Sequence, residues 1–407
     1  MSKKQKHAKP EHIPTQHHIS RLQRQTRTRR VITIIAAVFL AVIIGWVSYG
    51  YYNDNVKPFH KTAIEVNGTS FDVGYYIEAL DAYTKNSDPS QINYMVGFAA
   101  SQIVQNELIR QGANSLGMYV TDHEVKEKVK ENNLPDNKVY QDIIRAALLK
   151  GKLLEYFEIL LPATMEQAHI QAMFVESIQV ANEVLAKIES SGDFTSLLGE
   201  YSCQPQIQGD LGWLPQELMP NTLIGEAAFS FEPGKVDKIY DKTASKDIGY
   251  WLIEVTDKDD EQGINARAIL LGSMEDVDEV KTRLASENFT ALAEEYSQHE
   301  SKAEGGELGW LKQGDMNSGV FDEVAFSLPL NEVSDPVQDK SVQTTGGYWI
   351  IKVIAREDRE LDEQASIGLA QIALNEWYLV QRESSTINDY LDENTMLMAI
   401  DRVTERR

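Results

Sequence analysis

A single cysteine, Cys203, stands in this chain of 407 residues, so no disulfide can form within it. It lies far from the N-terminus, which argues against lipid attachment there. No Ser/His/Asp arrangement and no metal-ligand spacing is found, which argues against a hydrolase; no cofactor and no metal is expected. His7, His12, His17 and His18 cluster only in a polar, basic tail without apolar pattern, and read as part of a disordered segment. Positive charge is scarce beyond that tail. Residues 1–30 carry nine Lys and Arg against one Glu, a balance of +8; the whole chain carries −23, which leaves −31 for residues 31–407. A body that acidic lacks the basic face that phosphate recognition needs, so no nucleic-acid partner is expected.

Long apolar runs are missing too, with one exception. Residues 31–52, VITIIAAVFLAVIIGWVSYGYY, carry no charge and suffice to cross the ~30 Å hydrocarbon core as a helix. Arg21, Arg24, Arg27, Arg29 and Arg30 precede the run and place the N-terminus in the cytoplasm. Trp46, Tyr49, Tyr51 and Tyr52 would form an aromatic belt at the far interface. The run is too long for a signal peptide and no A-x-A site follows it. The expectation is a single-pass anchor in the cell membrane at 31–52, with a disordered cytoplasmic tail at 1–30 and an extracytoplasmic body after residue 52.

The pattern then becomes regular. Residues 62–71, TAIEVNGTSF, read as a hairpin with Asn67-Gly68 in a type I′ turn. Helices are predicted over 72–86, 92–116 and about 137–161, and another opens at Thr121 with Glu124 in the capping-box position. Region 60–162 is therefore a hairpin with amphipathic helices and no catalytic constellation. After 357 the chain is helical again, with Leu369, Ala373, Trp377 and Val380 on one face. The break at 384–386 is followed by more helix. These segments lack a core of their own and are expected to pack on region 60–162.

Between the two lies a duplication. GDFTSLLGEYS (192–202) matches ENFTALAEEYS (287–297), and GDLGWL (209–214) matches GELGWL (306–311). EAAFSFEPGKV (226–236) matches EVAFSLPLNEV (323–333), and GYWLIEV (249–255) matches GYWIIKV (347–353). Four blocks in one order define a tandem repeat of about 95 residues. Each copy reads as an opening strand, two helices, the Gly-rich phrase leading into a strand, a helix on the A-F-S block, and a closing apolar strand. From the residues alone, Asp210 and Glu307 read as turn carboxylates that accept backbone N–H groups, Trp213 and Trp310 as core, and Cys203 as an inert thiol.

The series F-x-x-L-x-x-x-Y-S, G-D/E-L-G-W, A-F-S-[FL] and G-Y-x-[IL]-I-x-V resembles the parvulin family of peptidyl-prolyl cis-trans isomerases, in both repeats. Region 60–162, with VNG, VTDHEV and its helix order, resembles the chaperone module of SurA/PrsA/PpiD-type extracytoplasmic foldases. The resemblance implies an α+β chain in six parts. They are a tail (1–30), a transmembrane helix (31–52), a SurA-N-like helical chaperone domain (60–162), parvulin-like domains at 163–260 and 262–357, each a small antiparallel sheet with helices, and C-terminal helices (358–407) returning to the chaperone domain. The implied partners are unfolded or nascent exported polypeptides containing X-Pro bonds.

X-Pro rotation breaks no bond; it crosses a barrier of roughly 20 kcal/mol set by amide resonance. A catalyst needs an apolar socket for the ring and surroundings that favour the twisted amide. The family places two His and an Asp or Cys beside that socket. Here the first-strand His position falls at Ala268 in the second repeat and at Phe174 in the first. The last-strand position falls at Trp251 in one copy and Trp349 in the other. The Asp/Cys position falls at Gln204 in the first copy and at His299 in the second, the one catalytic candidate that the resemblance leaves. The implied socket is Met316, Phe321 and Phe326 in the second repeat, and Met219, Leu223 and Phe229 in the first. Met219, Phe229, Met316 and Phe326 read equally well as ordinary core, and His299 as a surface loop residue. With the usual His replaced, three readings stand: a foldase of weak isomerase activity, a holdase that grips peptide, and an anchored scaffold for one partner.

Overall fold

The computed structural model describes residues 38–53, 56–191, 193–204 and 206–406. The tail 1–30 and the apolar run through residue 37 lie outside the described residues. Helix α1 covers 38–53 with its apolar side chains exposed, Trp46 at 78%. Among the described residues no helix is long and apolar enough to cross a membrane.

The chain divides into two units, one from the residues up to Leu153 with Leu374–Arg407, the other from Leu154–Ala373. In the first, β1 (Thr62–Val66) and β2 (Thr69–Asp72) pair antiparallel. Asn67 and Gly68 join them with φ of 49° and 83°, the positive values a type I′ turn demands. Helix α2 (Val73–Thr84) starts where the Asp72 carboxylate accepts the Tyr75 N–H. Helices α3 (Ile92–Ser115), α4 (Asp122–Glu131) and α5 (Lys138–Leu160) follow, and α4 opens on the reciprocal Thr121/Glu124 box. Val66, Tyr76, Leu80, Ile92, Leu108 and Val139 form the core between them.

The second unit runs β3 (Thr164–Val175), α6 (Ile178–Ser191), α7 (Leu198–Tyr201), β4 (Gly209–Leu214), α8 (Thr222–Ser230), β5 (Val236–Lys246) and β6 (Gly249–Asp259). It then repeats as β7 (Gly263–Leu271), α9 (Met274–Arg283), α10 (Phe289–Tyr296), β8 (Glu307–Leu311), α11 (Gly319–Ser327), β9 (Val337–Asp339) and β10 (Thr344–Glu360). Strands β5 and β9 were not expected. The Gly-rich phrase is itself the strand rather than a turn before it. Gly209, Gly212, Gly306 and Gly309 have φ between 71° and 87°, and the register opposite them shifts at Ile170/Gln171 and Ala266/Arg267. Each phrase is a bulged edge strand, which needs backbone angles that a Cβ disfavours.

The sheet orders are β4-β3-β10-β5 and β8-β7-β6-β9, antiparallel throughout. Each sheet therefore takes its closing strand from the other repeat. Trp349 sits between Phe174 of β3 and Ile239 of β5, and Trp251 between Leu270 of β7 and Val337 of β9. We call the two assemblies the first body, around β3, and the second body, around β7.

Helix α12 (Glu363–Glu383) buries Leu369, Ala370 and Leu374, whereas Val380, placed on the apolar face by the sequence, is 60% exposed. Gly112 of α3 makes room for Trp377, whose indole a Cβ there would strike. Residues 387–389, expected as helix, form β11 (Ile387–Asp389), which pairs with β1. Helix α13 (Glu393–Thr404) then inserts Ala399 and Val403 into the first unit's core. Strand β11 and helix α13 thus complete the sheet and the core of the first unit.

Candidate functional site

The second body carries the more open site. Helix α11 starts at Ser318, whose hydroxyl accepts the Phe321 N–H and so points Phe321 inward. Phe321 meets Trp251 edge-on, with ring centroids 5.3 Å apart, and both are buried. Ala268 and Ala325 join them, with Leu308, Met316 and Phe326 packed against the cluster. The Trp251 indole N–H donates to the Asp339 carboxylate at 3.0 Å, and the Ser318 hydroxyl donates to the same oxygen at 2.6 Å. Burial works against that charge, but the hydrogen bonds from Ser318, Ser341 and Trp251 more than offset it and hold the Asp339 carboxyl below its ordinary value.

His299 lies at the rim, its ring 5.3 Å from that of Trp251. Its Nδ1 accepts the Ser301 N–H, which assigns the proton of the neutral ring to Nε2. Burial pushes this imidazole below its ordinary value, against the pull of Glu300. A cavity of about 630 Å³ opens here on His299, Leu308 and Met316, and is ringed by Glu300, Glu304, Glu307 and Asp315. Such a groove offers a small apolar patch of Leu308 and Met316, the His299 imidazole and a negative rim.

The first body repeats the latch and closes the groove. The Trp349 indole donates to Asp241 at 3.0 Å, and Thr243 and Ala244 add N–H bonds to that carboxylate. Phe174 packs on Trp349 at 4.8 Å, with Met219, Ile224 and half-buried Phe229 around them. Met219 is 7% exposed, so it fills the position that half-buried Met316 leaves accessible in the second body.

Three pairings from the sequence change. Trp349, grouped with the second repeat, belongs to the first body, and Trp251 to the second, because the closing strands are exchanged. Ala268 is matched by Ala172 rather than Phe174: Ala268 opposes Ile253 and Ala172 opposes Ile351, while Phe174 corresponds to Leu270. Ile224, rather than Leu223, stands on α8 where Phe321 sits on α11, and it joins the buried cluster. Gln204 turns away, its Nε2 donating to the Ser245 carbonyl at 2.7 Å. Cys203 is held protonated by burial, which with the Glu176 charge raises it to about 11, as an inert thiol requires. Asp210 accepts the Gly212 N–H at 2.9 Å, the turn role expected of it, and also takes His169 Nε2 at 2.7 Å. Trp213 and Trp310 are not core. Trp310 is 37% exposed, and Trp213 lies beneath the Arg359 guanidinium at 4.3 Å. The two aspartates Asp241 and Asp339 were missed; their shared place, ten residues before each closing-strand Trp, was the available signal.

Comparison with known proteins agrees with this division. A SurA-like N-terminal domain matches residues 19–148, and PPIC-type PPIASE domains match residues 155–259 and 272–355. Chaperone SurA of Dechloromonas aromatica is 29% identical over 242 residues, 53% of this chain and 53% of its own. Foldase protein PrsA of Geobacillus sp. is 33% identical over 163 residues, 38% of this chain and 57% of its own. The chain thus spans about half the length of the curated relatives it matches. The crystal structure of PrsA from Bacillus subtilis aligns over 86% of this chain and 93% of its own at 16% identity, with a TM-score of 0.18. The chain thus carries one region similar to the SurA-like N-terminal domain and two similar to PPIC-type PPIASE domains, the parts for which it resembles SurA and PrsA proteins.

Proposed function

We propose that the chain is a membrane-anchored extracytoplasmic foldase that holds unfolded exported polypeptides and turns X-Pro bonds in its second body. The observation that carries this is the second groove, where Met316 and Leu308, backed by the buried Phe321–Trp251 pair, form an apolar patch beside the His299 imidazole. A twisted prolyl amide has lost its resonance, so an apolar seat and a single donor stabilise it relative to the planar form. Exchange spectroscopy on a proline tetrapeptide tests this. The full chain should raise the cis–trans exchange rate, and a rate equal to the uncatalysed one rejects catalysis.

The first body is a gripping module. Met219 is buried and Gln204 is turned to the Ser245 carbonyl, which favours the holdase reading for that half. The anchor reading is supported by the uncharged run 31–52 and by the exposed apolar side chains of α1. Protease added to intact spheroplasts should degrade the body and spare the tail. A body protected until the membrane is broken contradicts it.

A further inference from the structure

We propose that each body is a joint product of both repeats, and that Trp251, from the first repeat, is the positioning residue of the second body's groove. The proposal rests on the reading of that groove as a proline site. Its cause is a single turn. Strand β6 ends at Asp259 and β7 begins at Gly263. The Asp259 carboxylate accepts the N–H groups of Glu261 and Gln262, each at 2.8 Å. Gly263 has φ of 98°, and a Cβ there would strike the Leu311 carbonyl. A chain reversed so tightly must lay β7 against β6. The first repeat's closing strand is thereby committed to the second repeat's sheet. The open edge of β3 is filled by β10, in register from Tyr348↔Val175 to Glu360↔Thr164. The closing strands GYWLIEV and GYWIIKV are nearly identical, so their side chains do not choose between the sheets. The crossover is tied between repeats as well: the Lys246 ammonium donates to the Gly346 carbonyl and the Thr344 hydroxyl to the Ile248 carbonyl.

Trp251 is then more than filler. Asp339 fixes its indole, and the ring stands edge-on to both Phe321 and His299. It sets the orientation of the imidazole and shields one side of it from water. The charged groups lining the same groove are Glu300, Glu304, Glu307 and Asp315. Trp349, on the second repeat, has the corresponding place in the first body.

Two measurements on the full chain test this. In a Cys203→Ser background, Val236→Cys with Lys352→Cys joins facing residues of β5 and β10. Val236→Cys with Glu254→Cys joins the residues that would face each other if each repeat closed on itself. The first pair should form an intrachain disulfide and the second should not; the reverse overturns the exchange. The second measurement is NMR of His299 and of the Met316 methyl group. Trp251→Phe should raise the His299 titration midpoint toward the ordinary imidazole value, and Trp349→Phe should not. A succinyl-Ala-Ala-Pro-Phe peptide should shift Met316, with affinity on the order of threefold to tenfold weaker in Trp251→Phe. If Trp349→Phe moves His299 and Trp251→Phe does not, the assignment is overturned. A wild-type chain with the expected disulfide and His299 response, but no Met316 shift with peptide, rejects the proline reading and leaves the composite groove standing.

Discussion

Asp339 shows how one carboxylate organises the site. It gathers the Trp251 indole, the Ser318 hydroxyl and Ser341 at the point where α11, β9 and β6 meet. Asp339→Ala strands a buried indole N–H and a buried hydroxyl, and should cost about 2–4 kcal/mol of stability by urea denaturation. A carboxyl held below its ordinary value in the fold binds protons more readily when unfolded. Its stabilisation is therefore whole above about pH 4 and drains as the pH falls through the lower folded value. Urea midpoints followed down from about pH 6 should fall more steeply below pH 4 in the wild type than in Asp339→Asn. The half-buried His299 acts in the same sense nearer neutrality, its contribution shrinking as the pH drops below about 6.5. At this scale the sequence was partly legible. Met316, Phe321 and Phe326, which the resemblance singles out, share one apolar cluster with Trp251. Counting back from the A-F-S block places Ile224, not Leu223, opposite Phe321. Asp241 and Asp339 escaped because an aspartate near a strand end looks like any solvated residue.

Among the elements, those specified by adjacent residues were legible. The Asn67-Gly68 hairpin and the Thr121/Glu124 box formed as read, since each is fixed by a few neighbouring backbone groups. Thr121→Ala should cost about 1 kcal/mol of the first unit's stability, measured by thermal or urea unfolding. Strand β11 was hidden because three residues after a helix break carry no periodicity. The exchange of closing strands was hidden for another reason: two near-identical strands satisfy either sheet equally, and the decision rests on the length of the turn between Asp259 and Gly263. Lengthening that turn with about ten Gly and Ser residues removes the constraint. The Val236→Cys/Glu254→Cys pair should then begin to cross-link; if it never does, the turn is not what commits β6 to β7.

For the whole molecule, charge and chain return matter most. The body after residue 30 is strongly acidic, and the second groove shares that sign through Glu300, Glu304, Glu307 and Asp315. Peptides with Lys or Arg beside proline should bind more tightly than acidic ones, and added salt should erase the difference, because exposed charges are screened beyond about 10 Å at 0.1 M salt. The first unit depends on residues more than 300 positions apart in sequence, as Val66↔Ile387 and the insertion of Val403 show. Val403→Asp places a charge in that core and should unfold the first unit or cost it more than about 3 kcal/mol. The central claim is that the second body, built from both repeats, is the working proline site. The most direct test is the refolding of a client limited by X-Pro isomerisation, with the full chain carrying Phe326→Ala or Phe229→Ala. The account predicts that the wild type accelerates the slow phase, that Phe326→Ala loses most of that acceleration, and that Phe229→Ala keeps it. Acceleration that survives Phe326→Ala in a folded chain, and is lost in Phe229→Ala, would contradict it.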